Sequence, residues 1–156
     1  MAAERPTSDD LAVCLASVFY VGGAPAAPGT WGTLAAVPLW LLLAAAGPGW
    51  YLLALLLVTA VGVWAAGVTE VVLGEPDSGA IVIDEVAGFL VTMAWLPVSW
   101  PAAVGGFLLF RLFDIGKPFP VSWAERQFKG GLGVMLDDLL AGLLAHLVLR
   151  TLLGCW

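Results

Sequence analysis

The sequence predicts an all-α integral membrane bundle, a single domain over 1–156, with about five hydrophobic helices preceded by a short N-terminal one. Composition is the first reason: 61% of the 156 residues are hydrophobic and 12% charged, against roughly 45–50% and about 25% in soluble domains. Mean hydropathy is +0.98. The second is pattern: apolar stretches at 31–46, 50–73, 81–96, 101–115 and 134–153 are separated by Gly/Pro-rich punctuation. The third is the 19 glycines and 8 tryptophans, since Gly permits close helix packing in lipid and Trp favours the lipid–water boundary.

Taken in order, a short helix is expected at about 8–20 with Ser8 as its N-cap. Arg5 is the only basic residue ahead of it, and Asp9 and Asp10 stand directly before its apolar run, which is not the pattern of a signal peptide. Cys14 and Cys155 sit in apolar surroundings near opposite ends and read as small packed hydrophobes. VGGAPAAPGTWGT (21–33) reads as a loop. Pro38 is expected to kink the first long helix. GPG (47–49), GEPDSG (74–79) and PVSWP (97–101) are turns, and GKPFPVSWAERQFKGGLG (116–133) is a long connection. Several stretches fall short of the ~20 residues a spanning helix needs, so those helices tilt, stop short, or carry their charged ends at the interface.

Four of the six basic residues, Arg111, Lys117, Arg126 and Lys129, fall in 111–129. The positive-inside rule puts that segment in the cytoplasm. Counting spans backwards, the 74–80 loop and everything before Trp31 share that side. The charged and glycine-rich segments therefore gather at one face, and the turns at 47–49 and 97–101 carry no charge.

Five carboxylates lie at that face: Asp84, Glu85, Asp114, Asp137 and Asp138. Crowded together they repel unless something positive lies between them. Hard oxygen donors at a polar rim suit Mg²⁺, which commonly shares its remaining positions with phosphate oxygens. Arg111 offers a planar fork for phosphate and Lys117 a point charge. Gly29 and Thr30 at the start of the first long helix, and Lys129, Gly130 and Gly131 at the start of the last, could present backbone N–H groups to an anion. Asp77 is both an N-cap and a phosphate-site candidate. The formal net charge of −6 suggests no nucleic acid partner, and bound cations would invert the local field for an anionic lipid. His146, the only histidine, lies more than two turns deeper than Asp138 and reads as core. Glu70 reads as an interfacial cap, and Arg126 and Lys129 also suit anionic lipid heads.

APGTWGTLAAVPLW (27–40), DSGAIVIDEVAGF (77–89), FRLFDIGKPFPVSW (110–123) and KGGLGVMLDDLLAG (129–142) together resemble the signature segments of the phosphatidylglycerophosphatase A family, in order and spacing over roughly 10–150. The resemblance implies a Mg²⁺-dependent phosphatase of the bacterial cytoplasmic (inner) membrane, multi-pass, with its site facing the cytoplasm. It would remove the terminal phosphate of phosphatidylglycerophosphate to give phosphatidylglycerol. Residue by residue, it makes Asp84, Glu85, Arg111, Asp114, Lys117 and Asp138 the candidate catalytic residues, with Asp84, Glu85, Asp114, Asp137 and Asp138 as metal ligands. Three positions depart from the family's usual pattern: Ser78 and Lys129 stand where histidine is common, and Ile83 where tryptophan is. Proton transfer would then fall to a carboxylate, Lys129 or water at the ion.

Rival phosphatase classes lack their residues. One deep histidine does not make a phosphohistidine enzyme, neither cysteine begins Cys-x5-Arg, there is no Asp-x-Asp, and the four-Asp spacing of CDP-alcohol phosphotransferases is missing. A phosphatase for another lipid phosphate stays open. So does a carboxylate-lined cation carrier, which requires carboxylates near mid-membrane.

Overall fold

The computed structural model describes residues 7–155, so Arg5 lies outside the described residues. The described residues form seven α-helices and one 3₁₀ turn, with no strand among them. The helices are α1 (Ser8–Ala16), α2 (Pro28–Ala46), α3 (Pro48–Leu73), α4 (Ile83–Met93), α5 (Trp100–Gly116), α6 (Val121–Gln127) and α7 (Gly130–Leu153). Three of them, α2, α3 and α7, are long and apolar enough to cross a membrane. The five predicted hydrophobic helices are therefore α2, α3, α4, α5 and α7, but α4, at 11 residues, spans only ~16 Å of a ~30 Å hydrocarbon core. Nine of its eleven residues are buried. It is a core helix enclosed by the others rather than a lipid-facing span.

α4 and α7 form the centre. α7 packs on α3, α4, α5 and α6, and α4 also packs on α2, α3 and α5. The α4–α7 approach is close because Gly88 faces Gly142, where an added Cβ on either would overlap the other helix's backbone. That is the small-residue packing expected where no hydrophobic effect drives helices together. Tyr51 of α3 donates its hydroxyl to the Leu90 carbonyl of α4 at 2.6 Å. Trp40, Phe89 and Phe110 fill the space between α2, α4 and α5, with edge-on ring pairs 6.4 and 6.5 Å apart. Apolar side chains such as Leu42, Leu56, Leu108 and Leu152 cover the outside. Exposed Trp50, Trp95 and Trp100 ring one end and Trp31 and Trp123 the other, as in the aromatic belts of membrane proteins.

Several boundaries differ from the sequence reading. α1 is capped by Thr7, not Ser8: Asp10 donates its backbone N–H to Thr7 Oγ1, and Thr7 donates its own to Asp10 Oδ2. Those Thr7 donors hold the Asp10 carboxyl below its ordinary range. The helix stops at Ala16, and Val18, Phe19 and Tyr20 turn the chain in left-handed conformations. α2 and α7 both start earlier than expected, at Pro28 and Gly130. Pro28 fits because Pro lacks only an N–H that the first turn leaves unbonded anyway. α2 runs on through Pro38. The segment 116–133 is not all loop but contains α6, held by buried Val121 and Ala124. Asp77 does not cap α4, whose N-cap position is Val82.

Candidate active site

Asp84 and Glu85 open α4. Asp138 lies in α7, ~12 Å from the helix start at 1.5 Å per residue. One carboxylate oxygen from each of these three comes within 4.8 Å of the others. Asp84 and Asp138 are buried, and Asp84 Oδ1, Glu85 Oε2 and Asp138 Oδ2 are buried with no hydrogen-bond partner. Buried polar atoms are normally satisfied, so three clustered carboxylates, each with a buried unbonded oxygen, are the group that could hold a cation. All the donors are oxygen, which suits Mg²⁺ or a similar hard ion.

The other two carboxylates are differently placed. Asp114 accepts a 2.5 Å bond from Arg111 Nη1, three residues before it on α5, and the same nitrogen stands 3.6 Å from Glu85. Asp137 accepts from Lys117 Nζ at 3.0 Å, and its second oxygen accepts the Asp138 backbone N–H. Lys117 also donates to Glu125 of α6 at 2.7 Å. Burial works against charge on Lys117, but Glu125 and Asp137 outweigh it and hold the ammonium above the ordinary lysine range. Glu125 was not among the residues singled out in the sequence. It sits eight residues beyond Lys117, across the turn into α6, where no helical or strand spacing links the two.

All five carboxylates, with Arg111, Lys117, Asp77 and Gly29, line one cleft of about 360 Å³. Gly29 is buried against it, and a Cβ there would collide with Glu85 Oε1 and crowd Arg111. Thr30 is not in the cleft wall, and its N–H already bonds the Ala27 carbonyl at 2.9 Å. Gly131 packs against Val63 and Gly67 of α3. Lys129 and Gly130 line a neighbouring groove of about 540 Å³ that shares Asp77 and Asp137 with the cleft.

The remaining candidates have structural partners. Ser78 is buried and donates to Glu75 at 3.1 Å. Lys129 Nζ donates to the Glu125 carbonyl at 3.1 Å. Glu70 accepts the Asp77 N–H at 2.7 Å, tying the 74–80 loop to the end of α3. His146 Nδ1 lies 3.1 Å from the Thr92 carbonyl, in the core as expected. Both cysteines are free and half-buried.

The sequence model of the phosphatidylglycerophosphatase A family matches residues 14–153. A phosphatidylglycerophosphatase A of Escherichia coli is 39% identical over 132 residues, 84% of this chain and 77% of that protein. The Haemophilus influenzae protein of the same name is 39% identical over 124 residues, 78% and 76% of the two chains. A Bacteroides thetaiotaomicron protein, named provisionally as a phosphatidylinositol-3-phosphatase, is 38% identical over 148 residues, 89% and 91% of the two chains. No solved structure matches the chain.

Proposed function

The chain belongs to the phosphatidylglycerophosphatase A family, and on that footing we propose that it hydrolyses the terminal phosphomonoester of phosphatidylglycerophosphate, with Mg²⁺, at the cytoplasmic face of the inner membrane. The observation that carries the proposal is the trio Asp84, Glu85 and Asp138, each with one buried unbonded oxygen, beside Arg111 and Lys117 in one cleft. The reaction adds water across the ester bond. Oxygen from water joins phosphorus, the P–O bond to the glycerol breaks, and a proton passes to the departing alkoxide.

Asp84, Glu85 and Asp138 would hold the ion. When bound, Mg²⁺ supplies positive charge that polarises the phosphoryl oxygens. Arg111 and Lys117 neutralise further phosphoryl charge from the cleft wall. Asp114 and Asp137 keep those two cations aimed rather than free to swing, and the carboxylates supply acceptors for the attacking water's proton. An aspartate nucleophile with a phosphoenzyme is the competing route.

Purified protein given phosphatidylglycerophosphate should release inorganic phosphate with Mg²⁺ and not in chelator; no release with Mg²⁺ defeats the proposal. The similarity to the Bacteroides protein supports a second reading, a different lipid phosphate head, which the same assay tests with a phosphoinositide monophosphate. The basic residues of 111–129 support the cytoplasmic orientation. With the native cysteines replaced, a cysteine at Gln127 should meet an impermeant thiol reagent only after the cytoplasmic face is opened; labelling in intact cells reverses the orientation.

A further inference from the structure

The groove beside the cleft has no part in the chemistry described above. It runs between the C-terminal end of α3, α6 and the first turns of α7. Its walls include Val71, Phe128 and Val134, and its cation is Lys129. Val71 is 82% exposed, so the groove opens on the apolar flank of α3, where Val72 and Leu73 are exposed as well. At its inner end it meets the cleft at Asp77 and Asp137, the two residues common to both. A groove with apolar walls, one ammonium and four carboxylates thus adjoins the cleft that holds the carboxylate trio.

We propose that this groove receives the diacylglycerol phosphodiester end of the lipid substrate, with Lys129 meeting the phosphodiester while the phosphomonoester lies at Asp84, Glu85 and Asp138. The assignment rests on the function proposed above. That substrate carries two phosphates on one glycerol, a monoester at one end and a diester at the other, so it needs two cationic regions a few bonds apart. Arg111 and Lys117 line the cleft and Lys129 lines the groove, which matches that division. The groove also carries four carboxylates, Glu70, Asp77, Glu125 and Asp137, so Lys129 is the one lining side chain that can meet an anion. Glu125 and Asp137 are engaged by Lys117. Glu70 bonds the Asp77 N–H and, with Asp77, offers acceptors for the hydroxyl of the linking glycerol. The walls at Val71, Phe128 and Val134 suit the acyl-glycerol body entering from the bilayer.

The test compares two lipid phosphomonoesters with the same acyl chains, phosphatidylglycerophosphate and phosphatidate, the second lacking the diester. The proteins are wild type, Lys129→Met, Val71→Trp and, as a control on the lipid-facing side of α5, Val104→Trp; all three sites are exposed. Retention of the product, phosphatidylglycerol, is read separately by native mass spectrometry. Lys129→Met should raise KM about tenfold for phosphatidylglycerophosphate and about threefold or less for phosphatidate, the scale of one charge-assisted hydrogen bond. Val71→Trp should raise KM for both lipids. Both variants should retain less phosphatidylglycerol, and Val104→Trp should change neither readout. Wild-type turnover with unaltered KM and unaltered retention in both groove variants overturns the groove while leaving the function standing. No wild-type turnover of phosphatidylglycerophosphate removes the function and this substrate assignment with it.

Discussion

Five carboxylates share one cleft, yet they divide into an inner trio and an outer pair. Asp84, Glu85 and Asp138 converge with an unpaired oxygen each, while Asp114 and Asp137 are bonded to Arg111 and Lys117. The same functional group, at nearly the same depth, is set for two tasks. The trio is the set proposed to hold the ion, and among the described residues its one ion pair is the 3.6 Å approach of Arg111 to Glu85. The outer pair already has its positive charges and fixes where they point. Removing a member of each set should therefore have unlike consequences.

The largest difference should appear in turnover. Asp84→Asn or Asp138→Asn should lower phosphate release on the order of 10³-fold, the scale of losing one preorganised electrostatic group. Neither should lower the unfolding temperature without divalent ion, because each relieves repulsion inside the trio. Near-normal turnover in both variants would end the distinction between the two sets.

Next in size is the response to the ion itself. A ligand that binds only the folded state stabilises it by about 2.7 kcal/mol at a hundredfold excess over Kd. Thermal unfolding in detergent across a Mg²⁺ titration should show that rise in wild type, a much smaller one in Asp84→Asn and most of it in Asp137→Asn. Equal loss in Asp84→Asn and Asp137→Asn would make Asp137 a ligand and merge the two sets.

The outer pair should show intermediate effects. Groups that orient a functional side chain from behind typically contribute roughly 10–100-fold to activity. Asp137→Asn and Glu125→Gln should each fall at the lower end, since either carboxylate still holds Lys117 when the other is gone. The double variant should lose more than the product of the single losses. Simple multiplication of the two effects in kcat would show that they do not act through a shared lysine.

This division could not be read from the sequence, although its members could. Asp84, Glu85, Asp114, Asp137 and Asp138 stand out because a carboxylate in an apolar run needs a reason, and parity of the apolar runs puts them at one face. Which oxygens remain unpaired depends on ion pairs made across helices, and the Lys117–Glu125 bond crosses a turn with no periodicity to expose it. The helix starts were hidden for another reason. Pro28-Gly29-Thr30 and Gly130-Gly131-Leu132-Gly133 have the composition of loops, but here Pro occupies a first turn and Gly131 allows α7 to lie against α3. α6, at seven residues, is too short to display a helical period. The five hydrophobic helices were legible because apolar runs bounded by Gly and Pro are the strongest signal a membrane chain carries.

The smallest effects should separate the two ends of the bundle at single glycines. Gly29 opens α2 at the cleft, and a Cβ there would occupy the place of Glu85 Oε1. Gly49 opens α3 at the opposite end, with nothing within 4 Å of the corresponding point. Gly29→Ala should push the Glu85 carboxylate away from Asp84 and Asp138 and lower kcat/KM roughly tenfold, less than the ~10²-fold that a 1 Å misplacement can cost. Gly49→Ala should leave kcat/KM unchanged and raise the unfolding temperature slightly, since Ala is favoured over Gly in a helix by about 0.8–1.0 kcal/mol in its interior and by less in a first turn. Kinetics and thermal unfolding on the two variants read both quantities. Unchanged turnover in Gly29→Ala would mean that Glu85 can shift without cost, leaving Asp84 and Asp138 as the members of the trio that matter.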